Sequence, residues 1–98
     1  MLSHHVLFWL KADTTAEQKS AFRKSLETLK DVETVKGLYI GTPAPIERAV
    51  VHTTYTFSLL LLFADIAGHD VYQVHPLHKA FLDEFRATFE KVVIYDAE

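Results

Sequence analysis

A chain of 98 residues with a net charge of −3 and no basic stripe reads as one domain, residues 1–98, that does not bind nucleic acid. The absence of cysteine excludes disulfides, thiolate metal sites and a thiol nucleophile. The composition is 49% hydrophobic and 12% aromatic, whereas so short a chain buries only about two thirds of its unfolded surface, so a second buried surface is expected. No apolar run approaches the roughly 18 residues that span a bilayer, and no secretory leader is read at the N-terminus; the expectation is a cytoplasmic protein with no membrane contact.

His4 to Lys11 reads as a strand, with His4, Val6, Phe8 and Leu10 on one face and His5, Leu7, Trp9 and Lys11 on the other. Both faces are largely apolar, so both are expected to be covered. Asp13 to about Lys30 reads as an amphipathic helix with Phe22, Leu26 and Leu29 inward, and either Thr14 with Glu17 or Thr15 with Gln18 as its capping box. Val35 to Gly41 is a second strand, followed by a long loop to about Thr53 broken by Pro43 and Pro45. Tyr55 to Phe63 is a third strand, apolar on both faces over Leu59–Phe63. Asp65 caps a short helix through Tyr72 and Val74, a second helix runs from Pro76 to about Phe89, and Lys91 to Asp96 is a fourth strand.

The order βαββαβ predicts an α+β, ferredoxin-like fold with an antiparallel four-stranded sheet and its helices on one face. The other face would carry Leu7, Trp9 and alternate residues of Leu59–Phe63, a bare apolar patch that monomers avoid. A homodimer joined through that sheet face, a dimeric α/β barrel, follows as the expectation.

The chemistry concentrates in Tyr72-Gln73-Val74-His75-Pro76-Leu77-His78. Counted from His78, Phe81, Leu82, Phe85 and Phe89 fall at i+3, i+4, i+7 and i+11, one helical stripe, so His78 shares the buried face. Pro76 suits the first helical turn, and His75 then falls at the cap. An imidazole aimed into an apolar interior has two readings. It is a general acid/base, kept neutral by burial with Tyr72 as proton donor or orienting group, or it is a structural histidine bonding a backbone carbonyl or Tyr72. His4, on the face that meets the helices, either approaches His78 or sits at a strand end in water. An ion held by His4, His75 and His78 lacks an acid at ligand spacing, so no metal is expected. His52 and His69 are read as loop or surface residues.

Two segments resemble the stress-responsive dimeric A/B barrel (Dabb) family: the N-terminal strand His4-His5-Val6-Leu7-Phe8-Trp9-Leu10-Lys11, and Tyr72-x-x-His75-Pro76-x-His78. The resemblance implies a homodimeric barrel that handles a small apolar, carbonyl-containing molecule without a cofactor. Polyketide cyclases of this kind, those that form olivetolic acid, use a Tyr and a His spaced as Tyr72 and His78 are. On that basis His78, Tyr72 and His4 are the candidate catalytic groups, in a pocket walled by Val6, Phe8, Phe22, Leu26, Leu59 and Phe81. Phe57 stands where the cyclases have a histidine and Leu26 where they have a tyrosine, so their substrate does not carry over. The alternatives are a non-catalytic, stress-associated structural dimer and a cofactor-free or haem-handling monooxygenase-like barrel.

Overall fold

Strand β1 (Leu2–Leu10) alternates without exception in the computed structural model, which describes residues 1–98. Leu2, His4, Val6, Phe8 and Leu10 are buried on one face, and the residues between them are half-buried on the other. Helix α1 (Ala16–Glu27) follows and tightens into a 3-10 turn at Thr28–Asp31. Thr15 and Gln18 form its capping box, the second of the two pairs the sequence offers. Next come β2 (Val35–Gly41), an irregular segment over residues 42–56, and β3 (Phe57–Phe63). Helix α2 (Ile66–Gln73) is capped by the Asp65 carboxylate, which accepts from the Gly68 amide. Helix α3 (Pro76–Phe85), a 3-10 turn over Arg86–Thr88 and β4 (Phe89–Ala97) complete the chain. The sheet is antiparallel in the order β2-β3-β1-β4, the ferredoxin-like arrangement the element order predicts.

Several expected boundaries move, and the fourth strand runs Phe89–Ala97, longer than the expected Lys91–Asp96. The third strand begins at Phe57 and not at Tyr55, because the Thr56 hydroxyl accepts the Leu10 amide where ladder pairing would otherwise start. The last helix stops at Phe85, short of Phe89, because Phe89 pairs with Leu10 in the sheet. Beside that pairing the Lys11 amide donates to the Thr88 carbonyl at 3.0 Å. The first strand starts two residues earlier than the pattern suggests, since Leu2 pairs with Phe63 and Ser3 with Ala97.

The core lies between the inner sheet face and the helices. Phe22 of α1 is its centre: fully buried, stacked on Phe57 at 5.4 Å and edge-on to Phe8, Phe81 and Phe85. Leu26 and Leu29 are equally sealed. On the inner face of the edge strand β4, Val92 and Ile94 remain 37% and 48% exposed, so the helices leave that margin uncovered. No helix covers the outer face, where Leu7, Trp9, Leu60, Leu62, Val93 and Tyr95 lie side by side. The loop touches it where the Trp9 indole N–H donates to the Thr54 hydroxyl at 2.9 Å.

Removing a fully buried aromatic ring forfeits its transfer energy and leaves a cavity, so Phe22→Ala should cost about 3–5 kcal/mol in chemical denaturation. A loss near 1 kcal/mol would contradict the packing described here.

Candidate functional site

The site is built at the junction of α2 and α3. Pro76 opens α3 at its first position, and the His75 Nδ1 accepts from the Leu77 amide at 3.1 Å. The proton of His75 then sits on Nε2, which faces the Glu33 carboxylate at 3.4 Å. His75 is therefore occupied as the cap that the sequence predicts. With the junction so fixed, the His78 ring lies against Tyr72, centroids 4.5 Å apart, and its Nδ1–H donates to the Gln73 carbonyl at 3.1 Å. That bond selects the tautomer whose Nε2 carries a free lone pair.

A cavity of about 210 Å³ opens beside this pair. Its polar walls are His4, Tyr72, Gln73 and His78, and its apolar walls are Val6, Phe8, Leu59, Phe81, Leu82, Phe89, Val92 and Ile94. It lies under the margin of β4 that the helices leave open. The Tyr72 ring is buried, yet no buried side-chain oxygen or nitrogen lacks a partner and no protein group bonds the Tyr72 hydroxyl, so the hydroxyl meets the cavity. Burial raises the phenol's pKa, which keeps it a neutral O–H donor. Burial also lowers the pKa of His78, an effect opposed by the Gln73 carbonyl and reinforced by charge repulsion from His4, Arg86 and His69. His4 is lowered chiefly by burial, against the opposing pull of Asp96, whose carboxylate lies 2.5 Å from its Nδ1.

Most of the expected site residues meet here. His4, Tyr72 and His78 share the cavity with Val6, Phe8, Leu59 and Phe81. Of the two neighbouring histidines it is His4 that faces inward; His5 lies on the outer face, 3.2 Å from the Ser58 hydroxyl. Phe22 and Leu26 are corrections. They are sealed in the core on the α1 side and line nothing, because the helices already fill that space and the opening lies on the β4 side. His4, His75 and His78 do not converge, since His75 is turned to Leu77 and Glu33. His52 is an exposed loop residue as expected, but His69 is not. It is a half-buried residue of α2 whose ring lies 5.1 Å from His4 and 5.8 Å from Phe63. Its spacing carried the signal: His69, Tyr72 and Gln73 are i, i+3 and i+4, one helix face. Asp96 was legible only through the β1–β4 register that sets it opposite His4.

The profile of the stress responsive A/B barrel domain family matches residues 2–98. The chain belongs to that family. Olivetolic acid cyclase of Cannabis sativa is 26% identical over 96 residues, 97% of this chain and 93% of the cyclase. Among solved structures, a dimeric ferredoxin-like protein of unknown function from Thermobifida fusca aligns with a TM-score of 0.81 at 21% identity, covering 98% of this chain and 88% of that one. The hydroxynitrile lyase of Passiflora edulis aligns with the same TM-score of 0.81 at 20% identity, covering 98% and 90%. Within the family fold this chain places His4, Tyr72, Gln73 and His78 in the wall of a largely apolar cavity, and no helix is long and apolar enough to cross a membrane.

A histidine held neutral by the fold takes up its proton in the unfolded chain first. The stability that His4 and His78 contribute is thus complete above their ordinary value of 6.5 and is lost as the pH falls below it toward the lowered folded values. The thermal midpoint should drop between pH 6.5 and about 5, before carboxylates titrate, and His78→Gln should flatten that drop; an unchanged slope would contradict the assignment. Substituting His75 by Ala should cost about 1 kcal/mol through the lost cap, and a neutral result would show that the cap is idle.

Proposed function

We propose that the protein is a homodimer that binds a small carbonyl compound in the His4–Tyr72–His78 cavity and moves a proton next to the carbonyl. The observation that carries this reading is the His78 Nδ1–H bond to the Gln73 carbonyl, which leaves a free Nε2 lone pair on a ring that lines an apolar cavity. His78 Nε2 takes a proton from the carbon beside the carbonyl, and the C–H electron pair moves into the C–C bond as the carbonyl becomes an enolate. The Tyr72 hydroxyl donates a hydrogen bond to the developing oxygen anion. The Gln73 carbonyl meets the imidazolium through Nδ1–H, and the proton then returns to another carbon or to a leaving group. His4 lines the same cavity and orients the bound carbonyl. Family membership, the similarity to a polyketide cyclase and the fold shared with a hydroxynitrile lyase support cyclase- or lyase-like acid/base chemistry.

Size narrows the choice. Pockets for drug-sized ligands measure roughly 300–1,000 Å³, and a cavity of about 210 Å³ favours a compact, single-ring molecule over the flat polycycle of a haem-handling barrel. The purely structural dimer shares the His78–Gln73 bond but gives no role to a Tyr72 hydroxyl left open to the cavity.

The apolar outer face supports the dimer. Leu7, Trp9, Leu60, Leu62, Val93 and Tyr95 form a sheet surface of the kind that pairs with a second copy, and a neighbour of the same fold is described as dimeric.

Against a panel of enolisable carbonyl compounds, His78→Ala should lower turnover by about 10²–10⁴-fold with the fold intact, and Tyr72→Phe by about 10²–10³-fold. Full activity in His78→Ala, or no active compound in the panel, would leave only the structural dimer. In sedimentation at micromolar concentration the chain should run at twice its mass and Leu60→Glu at one; a wild-type monomer overturns the sheet pairing.

A further inference from the structure

We infer that His4, His69 and Asp96 form a binding site for a divalent transition-metal ion, reached from the cavity through His4. The three come from different elements, β1, α2 and β4, so the fold assembles them. One ligand atom from each lies within 4.8 Å of the others. Two imidazoles and one carboxylate are the donor set that holds a first-row divalent ion while leaving positions open to water or a ligand. Metal–nitrogen and metal–oxygen bonds of about 2.0–2.2 Å need these donors closer together than 4.8 Å. Asp96, already 2.5 Å from the His4 Nδ1 and with its side chain 44% exposed on the edge strand, is the residue with room to move.

The surroundings fit the role. The His69 Nδ1 lies 3.1 Å from the Asp70 carboxylate, which accepts its proton and leaves Nε2 as the ligand atom, the usual carboxylate support of a metal-bound histidine. Gln73 contacts that Nε2 at 3.2 Å through its side-chain amide, a half-buried group that can turn aside. His4 is 2% exposed and connects the cavity wall to Asp96. None of this depends on proton transfer by His78, whose ring is bonded to Gln73 and is not among the ligands.

The probe is zinc titrated calorimetrically into the metal-stripped full chain, with cobalt absorption reporting the coordination geometry. One equivalent per chain is expected, with a cobalt ligand-field band. His69→Ala and Asp96→Asn, both at partly exposed positions, should each weaken zinc at least tenfold while circular dichroism stays unchanged, and His52→Ala in the exposed loop should bind as the wild type does. Should either variant lose its fold, the second, with the cobalt band, still decides. Absence of saturable zinc binding, or binding that survives both substitutions, overturns the site. Neither outcome bears on turnover by His78, so this inference and the proposed function fail separately.

Discussion

One hydrogen bond organises the candidate site: the Nδ1–H of His78 on the backbone carbonyl of Gln73. It forms because Pro76 ends one helix and starts the next within a turn, and because His75 closes the new helix end with its own ring. The bond fixes the orientation of the imidazole, selects its tautomer and satisfies one nitrogen with an uncharged acceptor. Burial then keeps the ring neutral. A carboxylate in place of that carbonyl would favour the imidazolium and remove the free base. The distinction between a structural histidine and a reactive one thus lies in the second nitrogen, because the first is bonded in either case.

The sheet supplies the remainder of the site through alternation. One residue of difference in phase separates His4, in the cavity, from His5, beside Ser58 on the outer face. The uncovered inner margin of β4 makes the cavity possible, since three helical segments do not span a four-stranded sheet. Access and apolar walls therefore have one origin. The outer face has the opposite property, being apolar and touched by its own chain only where the loop reaches Trp9, and it is the face proposed to pair with a second copy.

Periodicity made much of this legible beforehand. The six-element order, the inward phase of β1, a capping box at one of two adjacent positions, the Asp65 and His75 caps and the Tyr72–His78 spacing are all local patterns, and local patterns survive into the fold. What was misread depended on distance or on coincidence. Phe89 continues a helical stripe and also packs on Phe8, Phe22 and Phe81 from a strand, so periodicity alone could not separate the two. Phe22 and Leu26 were correctly inward, but whether an inward residue faces a void or its neighbours depends on how three elements fill space. Asp96 lies 92 residues from His4, and only the pairing of the first strand with the last joins them. His69 shares a helix face with Tyr72, so its place beside the site is readable from spacing alone.

The protonation state of His78 tests this account most directly, and nitrogen-15 spectroscopy of labelled histidine at neutral pH reads it without a substrate. A neutral ring with its proton on Nδ1 and a bare Nε2 is expected. An imidazolium, or a neutral ring protonated on Nε2, would contradict it.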